Sequence, residues 1–454
     1  MRAMAAIDGD VGPTPAVQTG TRPGRLEGAF LHLVMIVLQG AFIITPQLIA
    51  TGGMLGEEAG GSDPVNQMAF GIVLLGTLVL TLGHFRAVAG AVRQNAVYLI
   101  LPALILMSTA WSLYPGLTLK RAISTDGVCL FALYAATRLT LDELLTIVSR
   151  TLLLSILASV AIALALPNVG REMGPGLDGE WRGVFAQKNQ LGHVMAVGCA
   201  VQLVTMLRAA RPRRGAVLIF LGCLALAVLS RSATSLLSIL VAVALTVTYA
   251  CVRRGRVAML IGAPLAAAGL CLVLAIATQS SVLALLDRDS TLTGRTDLWP
   301  VVLQMIEMRP WTGWGFEAFW TENNPLYDYV QHTAGWPAPN AHNGLLEVAI
   351  DLGLIGAAAL IIVLGWSLKR AIGAMARGEL IGIAVLILLF MLIVGNITES
   401  FILQGSVFGW NLFTMLVFMT GLRAAAPRPA VVATSLLGRA KPRTAHSLAA
   451  DPAK

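Results

Sequence analysis

Apolar residues in this chain neither alternate nor form narrow helical stripes. They run on for 16 to 23 residues at a time between short polar breaks. A hydrocarbon core of about 30 Å takes roughly 20 residues of helix, so the runs predict transmembrane helices. They fall at 29–50, 66–83, 96–112, 122–137, 151–166, 189–207, 215–230, 233–252, 257–278, 344–366, 380–397 and 404–422, twelve in all. The stretch 215–252 is almost unbroken, and as one helix it would be roughly 57 Å long. It must turn back, and SRSATS (230–235) is its only polar break. The pattern predicts an all-α polytopic membrane protein with one large loop, 279–343, between the ninth and tenth helices.

Composition agrees: 56% of the 454 residues are hydrophobic and 12% charged, with a mean hydropathy of +0.76, whereas soluble domains are about a quarter charged. The net charge of +8 could suggest nucleic acid, but its distribution points to membrane topology. Lys and Arg concentrate at 84–95, 138–150, 208–214, 253–256, 367–379 and the C-terminal tail, all on one side of the twelve-span layout. The positive-inside rule makes that side, and both termini, cytoplasmic. Residues 1–28 and 424–454 read as disordered cytoplasmic ends, with 29–423 as the membrane domain. The first apolar run is too long for a cleaved signal peptide and reads as an anchor. The five cysteines lie inside apolar runs without metal spacing and read as small packing residues.

Polar residues that collect on the outer, base-poor side carry the candidate chemistry. Arg182 and Lys188 lie in WRGVFAQKNQLGH; at a helix N-terminus Lys188 could seat a phosphate or simply snorkel to lipid headgroups. Arg231 sits in a two-helix turn flanked by Ser230, Ser232, Thr234 and Ser235, where a charge needs water, a partner or an anionic substrate. Five of the nine Trp occupy the large loop; they could stack on sugars, form an interfacial belt or build a small loop core. The spacing from Asp297 to Met308 predicts a short helix ending before Pro310, and Gly313 and Gly315 allow a tight turn. His342 falls at the start of the tenth span, where a neutral imidazole could accept a proton. Asn343, Glu347 and Asp351 follow at four-residue steps, a polar stripe that should face the bundle or a wet cavity rather than lipid. A base beside several cations suits an anionic leaving group.

In order, RGVFAQKNQLG, SRSATSLL, TGRTDLWP with RPWTGWGFEAF, and AHNGLLEVAIDLGLIG resemble the O-antigen ligase and polysaccharide polymerase superfamily, most of all its ExoQ-type exopolysaccharide polymerase branch. The resemblance covers about residues 180–360 and implies a GT-C-like, metal-independent, inverting glycosyltransferase without cofactor in the bacterial inner membrane. The implied donor is an undecaprenyl-diphosphate-linked oligosaccharide, and the acceptor is a sugar hydroxyl at the periplasmic face. Membrane lipids, a flippase and a chain-length regulator are the implied partners, and nucleic acid is not. Carried over residue by residue, the resemblance implies His342 and Arg295 as catalytic. It implies Arg231, Arg182 and Lys188 as diphosphate-binding, with Asn343 and Glu347 as polar support. Two other readings stay open: a ligase that attaches the glycan to lipid A core, and a transporter or lipid flippase, which would need polar residues through the midplane.

Overall fold

The computed structural model describes residues 23–40, 49, 64–172, 179–208, 213–253, 294–404 and 407–424. The expected ninth span (257–278), the first 22 residues, 41–48 of the first span and the tail from 425 lie outside the described residues.

Most apolar runs are helices where the hydrophobic pattern places them. They are α1 (Arg25–Leu38), α2 (Pro64–Gly83), α3 (Phe85–Gln94), α4 (Ile100–Met107), α5 (Pro115–Arg138), α6 (Leu141–Ala165), α7 (Lys188–Leu207), α8 (Arg214–Leu229), α9 (Ala233–Arg253), α10 (Arg295–Met308), α11 (Pro325–Ala334), α12 (Gly344–Ala376), α13 (Leu380–Gly395) and α14 (Phe408–Ala424). A two-residue antiparallel hairpin, β1 (Arg171–Glu172) with β2 (Glu180–Trp181), precedes α7. Among the described residues, α6, α7, α9 and α12 are each long and apolar enough to cross a bilayer, and the bent pair α2–α3 makes a fifth candidate. Shorter apolar helices, α8, α13 and α14 among them, complete a polytopic helical membrane bundle. Its large core gathers side chains from α1 to α9 and α12 to α14, with α13 buried along most of its length.

Three expectations change. The 84–95 segment is not a loop but α3, turned 99° from α2; it buries Val88 and Ala91 and leaves Arg86 and Arg93 exposed. The third span is broken: α4 has only eight residues and ends in a 3-10 turn over Ser108–Ala110. Helices α5 and α6 begin earlier than hydropathy alone places them. At α6 the reason is a capping box, in which Thr140 accepts from the Glu143 N–H at 3.2 Å and Glu143 accepts from the Thr140 N–H at 2.9 Å.

The tenth span carries the most consequential departure. Helix α12 has 33 residues, but Gly353 interrupts it with φ 66° and ψ −165°. The turn 310–315 docks into the gap: Trp314 N–H donates to the Ile350 carbonyl (2.9 Å), Gly315 N–H to that of Asp351 (2.9 Å) and Leu354 N–H to that of Pro310 (2.7 Å). Only glycine permits this approach, because a Cβ on Gly353 would lie 2.3 Å from the Trp311 carbonyl carbon. Beyond the break, 354–376 is roughly 34 Å long, enough for a bilayer core of about 30 Å. The turns before it are shared, with Val348 and Leu352 in the bundle core and their other face in a separate cap. Ala349 and Ile350 join a second hydrophobic cluster with Leu298, Val302, Trp314, Phe319 and Val330, built from α10, α11 and the intervening loop. This is why a helix bound for hydrocarbon can begin with polar residues.

Candidate active site

The cap places the start of α10 and the start of α12 against the connection between α13 and α14. Glu399, in that connection, is the centre of the site. Its Oε1 accepts from Arg295 Nη2 at 2.7 Å and from Asn189 Nδ2 at 3.1 Å, and its Oε2 lies 3.3 Å from His342 Nδ1. The three charged or titratable side chains are largely buried, at 14% exposure for Arg295, 16% for His342 and 11% for Glu399. An ionised carboxylate only accepts, so the neutral imidazole must carry its proton on Nδ1. That leaves Nε2 as the basic nitrogen, and it is buried with no hydrogen-bond partner.

Local sequence explains how His342 is held. It adopts φ +47°, a conformation unusual for a residue with a side chain, and its N–H donates to Asn340 Oδ1 at 2.9 Å. The preceding residue is pinned at both ends: Trp299 Nε1 donates to the Ala341 carbonyl at 3.0 Å, and the Ala341 N–H donates to Glu347 Oε2 at 2.7 Å. Asn343 is the N-cap of α12, accepting from the N–H groups of Leu345 and Leu346. Gly344 follows because a Cβ there would strike Asn396. Trp336 packs beside the imidazole, ring centroids 5.4 Å apart. Gly294, left-handed at φ +81°, starts α10 against Trp336 and so aims Arg295 inward.

Arg231 is exposed at φ +50° in the turn between α8 and α9. The turn reaches the same end of the bundle. Ser230, Ser232 and Ser235 press against Gly192 of α7, where a Cβ would meet all three at 2.6–2.9 Å, and Thr234 Oγ1 is 2.8 Å from Thr398 Oγ1, next to Glu399.

Two expected diphosphate ligands have partners within the protein. Arg182 is buried and donates to the carbonyls of Val169 (2.8 Å) and Asn168 (3.2 Å), and burial lowers its pKa. Lys188 forms an ion pair with Glu180. Its backbone N–H, at the start of α7, donates to Glu172 Oε1 at 2.6 Å, so an internal carboxylate already occupies that helix N-terminus. Burial pushes the Glu172 carboxyl above its usual range.

Of the polar stripe, Asn343 caps the helix while Glu347 and Asp351 face inward, lining a small cavity with Glu317, Leu403 and Gln404. Every non-glycine residue with positive φ among the described residues lies in the site or this cavity: Arg231, Glu317, His342 and Leu403. Strained backbone of this kind persists where surrounding structure over-determines it. Glu399 is the residue of this cluster that sequence reasoning missed. The available signal was NITES (396–400), an acid between two apolar runs.

Fold and site together define a polytopic helical membrane protein with a histidine, carboxylate and arginine cluster at one end of its bundle. Residues 194–361 match the O-antigen ligase family model, a range that contains Arg231, Arg295, His342 and Glu347. The chain is also similar to the exopolysaccharide production protein ExoQ of Rhizobium meliloti (strain 1021), 28% identical over 307 residues, covering 63% of this chain and 67% of that protein. Both matches support a place in the O-antigen ligase and polysaccharide polymerase superfamily, near ExoQ, for this chain.

Proposed function

We propose that the protein is an inverting glycosyltransferase of the metal-independent type, which polymerises exopolysaccharide repeat units carried on undecaprenyl diphosphate at the periplasmic face of the inner membrane. The observation that carries this reading is the single carboxylate of Glu399 joining His342 to Arg295. With Nδ1–H held by Glu399, Nε2 accepts the proton of the acceptor hydroxyl as that oxygen attacks the anomeric carbon. The new glycosidic bond forms while the bond from the anomeric carbon to the phosphate oxygen breaks. Undecaprenyl diphosphate leaves with the electron pair, and the charge gathering on it is met by the guanidinium groups of Arg295 and Arg231. Arginine suits this task because its planar fork binds phosphate oxygens bidentately and stays charged. The diphosphate is an activated leaving group, so the scheme routes no step through a cofactor. Arg182 and Lys188 serve by building the wall in front of α7.

The test is a deletion strain complemented with wild type or His342→Ala, with lipid-linked glycans and surface polysaccharide sized together. Single repeat units should accumulate, and long polymer should vanish, in the deletion and in the His342→Ala strain at normal protein level. Full-length lipid-linked polymer with bare acceptor core would make the protein a ligase. Normal polymer from His342→Ala would remove His342 from the mechanism.

A further inference from the structure

Glu347 is the one acid of the cavity that reaches the segments carrying the reacting groups from beneath. It is 6% exposed, and its Oε2 accepts from the Ala341 N–H at 2.7 Å and from Ser400 Oγ at 3.5 Å. Ala341 immediately precedes His342, and Ser400 immediately follows Glu399. One oxygen atom thus ties together the two backbone segments whose side chains meet as the His342–Glu399 pair. These segments otherwise come from distant parts of the chain, the cap and the α13–α14 connection. The ties that run parallel to it are Gly344 N–H to the Asn396 carbonyl (2.9 Å) and Asn343 Nδ2 to the Ile397 carbonyl (3.3 Å), and neither joins neighbours of both His342 and Glu399. Because His342 has a positive φ, its backbone has an alternative relaxed conformation available. The anchored peptide at Ala341 holds it out of that conformation.

We infer that Glu347 is a positioning residue that sets the distance and angle between His342 and Glu399 by accepting hydrogen bonds from both segments. The inference rests on the reading of His342 as the base. What the role requires is an acceptor oxygen in that place rather than a negative charge. A glutamine at 347 keeps the acceptor oxygen, and its amide group would face the cavity shared with Asp351, whose buried Oδ1 has no hydrogen-bond partner. An alanine removes the tie entirely. Displacement of a catalytic group by about 1 Å can lower turnover on the order of 100-fold.

The experiment measures kcat and KM for polymerisation of lipid-linked repeat units by the purified full-length wild type, Glu347→Gln, Glu347→Ala and Ser400→Ala. In parallel, and without substrate, the rate of carbethoxylation of each histidine by diethylpyrocarbonate is followed by peptide mass spectrometry. His332 is exposed, and His193 in α7 is half-buried with its Nε2 buried, so the first normalises reagent and the second reports global loosening. Expected are kcat within about threefold of wild type for Gln and a fall of about 100-fold for Ala, each with KM within about twofold. The smaller loss falls to Ser400→Ala, whose contact is the longer one. In the alanine variant the His342 rate should rise several-fold while His193 stays protected. Equal losses in Gln and Ala would overturn the inference, as would an unchanged His342 rate in Ala, or His342 and His193 rising together. If wild type transfers no glycan, the proposed function falls. The modification rates then decide the positioning role alone, a selective rise at His342 supporting it and no selective rise overturning it.

Discussion

Replacing Glu399 with glutamine is an almost isosteric change that should inactivate the site by moving one proton. Arg295 and Asn189 both donate to the same carboxylate oxygen, Oε1, while His342 meets Oε2. In Glu399→Gln the single carbonyl oxygen must face Arg295, an obligate donor, because turning the amide round would set its NH₂ against the guanidinium. The NH₂ therefore faces His342 Nδ1, which must accept and so give up its proton. The neutral imidazole is driven into the tautomer protonated on Nε2, which cannot take a proton from an acceptor hydroxyl. Loss of a correctly held base of this kind lowers turnover by about 10²- to 10⁴-fold, or roughly 3–5 kcal/mol on the barrier at about 1.4 kcal/mol per decade. Shape and the contacts to Arg295 and Asn189 are kept, so protein level and thermal stability should stay near wild type. The assay is conversion of lipid-linked repeat units to polymer in detergent or proteoliposomes, with thermal unfolding on the same preparation. A folded Glu399→Gln enzyme with kcat within threefold of wild type would refute the orienting role of Glu399 and the tautomer argument together.

Arg295→Lys should be nearly as damaging as Arg295→Ala, since a point charge cannot hold Glu399 and a phosphate at once; wild-type turnover of the lysine variant, measured in the same assay, would exclude that geometry. Gly353→Ala should destabilise the cap on the order of 1–3 kcal/mol, because its φ of 66° and its contact with the Trp311 backbone both oppose a Cβ. An unchanged melting temperature would show that the break relaxes without strain. Lys188→Ala should leave the donor KM within about twofold and lower thermal stability, its partner being Glu180. A donor KM raised tenfold in a stable variant would return Lys188 to the diphosphate.

Hydropathy was enough to locate most helices, because every apolar run had to leave water whatever it packed against. The turn at Ser230–Ser232, the helix ending at Met308 and the bends at Gly313 and Gly315 were legible for equally local reasons: a polar break, a helical period before Pro310, and residues free to take positive φ. His342, Arg295 and Arg231 stood out in the sequence as basic groups on the base-poor side, and the first two meet at Glu399.

What the one-dimensional pattern could not contain was who pairs with whom. It read Lys188 and Arg182 as cations awaiting an anion, and only the hairpin before α7 supplied Glu180 and Glu172, together with the carbonyls of residues 168 and 169. It took α12 for an unbroken span, and only the docking of 310–315 onto residues 350–355 split it into a cap helix and a membrane helix. It passed over Glu399, an acid whose meaning appears when segments 104 and 57 residues away in sequence meet at its two oxygens. Burial in lipid is a property each segment has alone, so sequence by itself determined it. Charge compensation and the orientation of a base depend on contacts between distant segments, and those only the tertiary structure decided.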